Sequence, residues 1–127
     1  FMINVNAYQQ YQYNSIMSAS PERLMLMLFE GAIKFVKLAR KAIEEKDIEG
    51  ANHNLTKAQD IIAELDRSLD MSYDISENLA DIYDFLYRKL VDANIKKDIQ
   101  ALDVVESMLV ELKSTWEQAY VNSKRAL

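Results

Sequence analysis

Apolar residues recur along this chain at intervals of three and four, the spacing of one face of an α-helix, in four separate blocks. The first opens at Ser20-Pro21-Glu22. Ser20 can accept a hydrogen bond from a free amide of the first turn. Pro21 suits the first helical position, where its missing N–H costs nothing, and Glu22 offsets the positive end of the helix dipole. The stripe Leu24, Leu28, Phe35, Ala39 and Ile43 follows, with Met25, Ala32 and Val36 beside it, and predicts a helix from Pro21 to about Glu45. Asp47 is the expected cap of a second helix carrying Ile48, Ala51, Leu55, Ala58, Ile62, Leu65 and Leu69, spaced as a heptad repeat. The run Asp70-Met71-Ser72-Tyr73-Asp74 breaks that pattern. Asp74 or Ser76 is expected to cap a third helix, with Leu79, Ile82, Leu86, Leu90 and Ala93 as its stripe and Tyr83, Phe85 and Tyr87 widening the apolar face. A fourth stripe runs through Ile99, Leu102, Val105, Leu109, Leu112, Trp116 and Ala119. The spelling Lys46-Asp47-Ile48 returns as Lys97-Asp98-Ile99 between the third and fourth blocks. Short connections force antiparallel neighbours. The pattern therefore predicts an all-α fold, an antiparallel up-down four-helix bundle over residues 20–127, with helices of about 22 residues spanning about 33 Å.

Residues 1–19 read differently. Asn4 to Asn14 is rich in Tyr, Gln and Asn and nearly free of charge. It is either an unstructured tail or an arm whose Tyr8, Tyr11 and Tyr13 pack onto the bundle or a partner, as an arm or short helix serving as a lid. Every residue from Leu24 to Phe29 is apolar, which covers a helix all round. Some of Met25, Leu26, Met27 and Phe29 must therefore face a second surface. Gly31, inside the first helix, costs about 1 kcal/mol against alanine. Either close helix packing or close approach of a partner chain accounts for it.

Composition removes other classes. Two glycines and one proline are too few for the turns of a β-sandwich or for a glycine-rich phosphate loop. Fifteen basic and twenty acidic residues give a net charge of −5, with no basic run longer than a pair, so nucleic acid is not an expected partner. There is no cysteine, which is compatible with a reducing compartment, and neither a stretch long enough for membrane insertion nor a signal-peptide pattern is visible. A di-iron bundle needs Glu-x-x-His motifs, and this chain has a single histidine, His53, and none of them. No metal or cofactor is expected, and without a nucleophile-and-base arrangement no enzyme activity either. One alternative uses His53. Phosphotransfer domains are helical bundles of this size, and the run His53-Asn54-Leu55-Thr56-Lys57 partly matches their motif. Leu55 fits, Lys57 arrives one position late, and no glycine follows.

The run Ala7-Tyr8, Tyr11 to Leu24 and Leu28-Phe29-Glu30-Gly31 resembles the FliS family of flagellin-specific export chaperones, in which a tyrosine arm precedes a T-A-S/T-P-x-x-L helix start and an L-Y-x-G segment. Lys57 to Leu65, Asn78 to Asp98 and Trp116 match the later parts of that family, so the likeness covers roughly Ala7 to Trp116. Ser18 stands for the usual threonine and Phe29 for the usual tyrosine, which removes a hydroxyl. The resemblance implies a cytosolic, non-enzymatic chaperone of type III flagellar export. Its client would be the disordered C-terminal segment of flagellin, held from premature polymerisation and delivered to the export apparatus. An export-gate component and competing regulatory proteins are the further implied partners, and a second copy forming a homodimer is a separate candidate. In this reading the arm covers an apolar cleft until client helices displace it. The candidate partner-binding residues are Tyr8, Tyr11, Ile16, Leu24, Met27 and Leu28 near the arm, and Ile61, Leu65, Tyr83, Tyr87 and Asn94 on the bundle.

Overall fold

Four helices form where the stripes predict them: α1 (Pro21–Glu44), α2 (Ile48–Arg67), α3 (Ile75–Lys96) and α4 (Ile99–Ala126). The computed structural model describes residues 19–126 together with Ala7 and Gln10. The proposed arm residues Tyr8, Tyr11, Tyr13 and Ile16, and with them the lid, lie outside the described residues.

Helix boundaries follow local chemistry. Ser20 Oγ accepts from the Arg23 amide at 3.2 Å, and Pro21 occupies the first turn. The repeated Lys-Asp-Ile spelling builds the same corner twice. Lys46 (φ 60°) and Lys97 (φ 52°) take the left-handed conformation that ends a helix. The next amide reaches back five residues, Asp47 to Ala42 O at 2.8 Å and Asp98 to Ala93 O at 3.0 Å. The same aspartate then caps the following helix. Asp47 Oδ1 accepts from the Gly50 amide at 2.9 Å, and Asp98 Oδ1 accepts from the amides of Gln100 at 3.0 Å and Ala101 at 3.4 Å. One residue thus closes one helix and opens the next.

The α2–α3 connection is longer and held differently. Asp70 carboxylate accepts from the Ser72 hydroxyl and amide, which lowers its pKa. The expected caps of α3 do not act as caps. Asp74 precedes the helix in a helical conformation with no side-chain bond to its amides. Ser76 lies inside the helix, buried, with its hydroxyl donating to Asp70 O at 2.5 Å. It secures the loop rather than the helix end.

Each helix packs closely on two neighbours, α1 on α2 and α4, and α3 on α2 and α4, which gives the expected up-down ring. Its centre is Phe29, Ala32, Val36, Leu55, Ala58, Ile62, Leu65, Tyr83, Leu86, Leu90, Leu102, Val105 and Leu109. The predicted stripes of α2, α3 and α4 supply most of it. The stripe predicted for α1 needs correction: Leu24 is 37% exposed, and Leu28, Phe35 and Ile43 are half-buried. Two neighbours flank α1, so its buried midline runs through Phe29, Ala32, Val36 and Ala39, and of the predicted stripe only Ala39 lies on it. Phe29 has no accessible surface and needs no hydroxyl there. Phe85 and Tyr87 are exposed rather than part of the packed face. Gly31 lies on the α1–α2 seam, where a Cβ would sit 3.2 Å from Ile61 Cδ1.

Polar ties join α4 to α1. Arg40 forks to Asp103 (2.9 Å) and Glu106 (2.6 Å), and Lys113 lies 3.9 Å from Glu30. Burial alone would lower the Arg40 pKa, but Glu106 and then Asp103 outweigh it and raise it.

Candidate functional site

The α3–α4 seam is the most open of the four. On α3, Leu86, Leu90 and Ala93 are buried, Leu79 and Ile82 are half-buried, and Ile75 is 62% exposed. On α4, running the other way, Leu102, Val105 and Leu109 are buried, Leu112 and Trp116 are half-buried, and Ala119 is exposed. Both stripes are thus uncovered toward the same end, the one bearing the α2–α3 connection and the start of α1. The four helices from Pro21 to Ala126 leave the apolar side chains there only partly covered.

Three hollows follow this opening. The first, about 360 Å³, lies between Met25, Leu69, Tyr73, Ile75, Leu79 and Trp116. A second of about 190 Å³, lined by Ile75, Leu79, Leu112, Thr115, Trp116 and Ala119, shares three of those residues. A third of about 180 Å³ continues along Ile82, Met108, Glu111, Leu112 and Thr115. Shared walls make them one apolar groove. A further hollow of about 390 Å³ at Arg40, Asp103 and Glu106 is a shallow polar depression whose charges already pair with one another. Exposed Met71 and Tyr73 extend the apolar surface past the groove's end. Apolar area of this kind, rimmed by polar residues, marks interaction sites.

Beneath the groove, Tyr83 is 1% exposed, and its hydroxyl has no hydrogen-bond partner among the described residues. Burial raises its pKa. The Trp116 indole opposes this from close by without reaching hydrogen-bonding geometry, and Asp66 adds to the rise.

The candidate residues that are described fall elsewhere. Leu24 is exposed in the first turn of α1, and Met27 and Leu28 are half-buried beyond it. Ile61 is half-buried against Gly31. Leu65 and Tyr83 belong to the closed core and present no surface to a partner in this arrangement. Tyr87 is 39% exposed. Asn94 helps to hold the α3–α4 corner. Together with Asn52 it accepts from the Lys97 ammonium, whose Nζ lies 2.5 Å from Asn94 O, 2.7 Å from Asn94 Oδ1 and 2.7 Å from Asn52 Oδ1. None of these residues lines the groove. Sequence reasoning placed Leu79, Ile82, Leu112 and Trp116 in core stripes. The available signal was that the α4 stripe continues into Trp116 and Ala119 with nothing assigned to cover it.

His53 is exposed on α2. Among the described residues no three His, Cys, Asp or Glu side chains converge as a metal site, and no helix is long and apolar enough to cross a membrane.

Comparison with known proteins supplies a context for the groove. The sequence profile of the family described as Flagellar protein FliS matches residues 4–123. The chain is 42% identical over 120 residues to the flagellar secretion chaperone FliS of Bacillus subtilis, covering 94% of this chain and 90% of that one. Against the flagellar secretion chaperone FliS of Salmonella typhimurium the identity is 37%, covering 90% and 87%. A solved structure described as a flagellar chaperone from bacteria superposes with a TM-score of 0.75 at 21% identity, over 94% of this chain and 98% of that one, and shares the fold. The chain belongs to the FliS family, a family of flagellar secretion chaperones and not of enzymes. Phosphotransfer at His53 finds no support there.

Proposed function

We propose that this FliS-family chain acts in the cytoplasm, where its α3–α4 groove seats an apolar helical segment from the C-terminal region of flagellin. The bound segment is kept from polymerising until it is handed to the export gate. The observation that carries this is the coordinated uncovering of two apolar stripes toward one end of the bundle. A disordered client that folds on binding can supply the missing helix, and burial of its apolar face offsets its ordering entropy. Half-buried Met25 and Met108, at opposite ends of the groove, are unbranched and repack readily around different side chains. The ion pairs holding α4 to α1 let the α3–α4 seam widen without releasing α4.

Residues 1–19 serve, in the same proposal, as a cover for the empty groove. Ser20 opens α1 at the groove's end, and Met25, one turn on, already lines it. Deleting residues 2–17 should raise client affinity and the binding of a hydrophobic dye, and unchanged values for both would rule out the cover.

Trp116 is the only tryptophan and lines the groove, so its emission reports occupancy. Titration with a tryptophan-free synthetic peptide spanning a flagellin C-terminal segment should shift that emission saturably. Calorimetry should show a negative heat-capacity change. Saturable heat with no change at Trp116 would place the client elsewhere on the bundle.

A further inference from the structure

The groove is electrically unbalanced. Among the described residues its three hollows are lined by two acids, Asp70 and Glu111, and by no lysine or arginine. From Ser68 to Tyr87 the chain carries Asp70, Asp74, Glu77, Asp81 and Asp84 without one basic residue. Asp84 pairs with Arg88. Asp74, Glu77 and Asp81 are exposed, and none has a basic partner among the described residues. Helical spacing places Asp74, Asn78 and Asp81 along one edge of α3, beside Ile75 and Ile82 of the groove. Glu111 stands on the facing edge of α4, one turn before Thr115. The α1–α4 seam offers the contrast: its acids are met from within the chain, Asp103 and Glu106 by Arg40 and Glu30 by Lys113.

The length of the groove limits what fits. From Met108 to Ala119 on α4 it runs about 16 Å at the rise of an α-helix, or three turns. We infer that the occupant is an amphipathic helix of about three turns whose apolar stripe is flanked by lysine or arginine side chains facing Asp74, Asp81 and Glu111. This rests on the groove being the client site and adds the chemistry by which it selects among apolar segments. Such rim charges act mainly on association rate and on specificity, and they are screened by salt.

The test uses the same flagellin C-terminal peptide, with Trp116 emission as readout, at low and high sodium chloride. It is run on the parent, on Asp81→Lys/Glu111→Lys, and on a control, Glu44→Lys/Asp60→Lys, whose exposed acids lie away from the groove. Circular dichroism confirms that each variant is folded. Affinity for the parent should fall about fivefold on adding salt, and the groove variant should bind about tenfold more weakly with little salt dependence, as expected for exposed charge pairs. The control should match the parent, and a peptide with its basic residues changed to glutamate should regain affinity for the groove variant. Saturable binding indifferent to salt and to both reversals overturns this inference and leaves the groove as the client site. A parent whose Trp116 emission does not respond overturns both.

Discussion

Replacing Lys46 and Lys97 by glycine, one at a time, separates two contributions that the matched helix corners superimpose. Both residues hold positive φ, 60° and 52°. A side chain in this region costs about 1–2 kcal/mol, and glycine removes that cost while giving back part of it by loosening the unfolded chain. The Lys46 side chain is exposed and makes no hydrogen bond or ion pair among the described residues. Lys46→Gly should therefore stabilise the fold by about 0.5–1 kcal/mol. Lys97→Gly gains the same relief and loses three hydrogen bonds from its ammonium, one of them joining α3 to α2 through Asn52. Charge-assisted bonds of this kind, discounted for partial exposure and for the entropy of holding a lysine stem, are worth about 1–2 kcal/mol as a set. Lys97→Gly should then range from neutral to about 1.5 kcal/mol destabilising, leaving the two variants about 1–2 kcal/mol apart. Urea unfolding followed by circular dichroism, at unchanged m, measures the difference. Equal midpoints would refute the clamp. A midpoint for Lys46→Gly below the parent's would refute the argument from backbone strain. Asn52→Ala, which removes one acceptor only, should recover part of the gap.

Gly31→Ala should raise stability by about 0.5 kcal/mol, because alanine favours the helix and the tight neighbour, Ile61 Cδ1, is the free end of a side chain. A lower urea midpoint would show that the α1–α2 seam cannot yield. Tyr83 makes stability fall at alkaline pH. Burial raises its folded pKa above the unfolded value near 10, so its contribution is full below that value and is lost as pH rises through the folded pKa. Urea midpoints measured across this range should slope downward, and Tyr83→Phe should flatten the slope; an unaltered slope in that variant would assign the effect elsewhere. Arg40→Ala should cost about 1–2 kcal/mol, with Arg40→Lys intermediate because one ammonium cannot fork to both Asp103 and Glu106. Thermal melts indistinguishable from the parent's would reduce the cluster to a solvated surface pair.

The four helices were legible because each carries its own period and three begin at a cap the sequence spells out: Ser20, Asp47 and Asp98. The α3 start was misread because Ser76, a good capping residue by type, is used by the loop through Asp70, a contact that depends on where the loop returns. The α1 stripe was misplaced by the width of its face, since periodicity finds a helix's apolar side but not how two neighbours divide it. The groove was hidden for a related reason. Leu79, Ile82, Leu112 and Trp116 have the spacing of core residues, and their partial exposure is set by where α3 and α4 diverge. Leu65 and Tyr83 show the converse, candidate contact residues that the closed ring keeps for itself.

The double duty of Asp47 and Asp98 has a kinetic consequence. With no slack between paired helices, α1–α2 and α3–α4 each join through contacts close along the chain, which form early and fast. The Arg40–Asp103 and Arg40–Glu106 ties link residues 63 and 66 positions apart, so the α1–α4 seam that closes the ring is expected to form last. The groove lies within the second hairpin, apart from its walls at Met25 and the α2–α3 connection. Its seat for an apolar helix therefore takes shape before the bundle has closed. A segment docked there would act during refolding as a temporary third helix and speed the union of the halves.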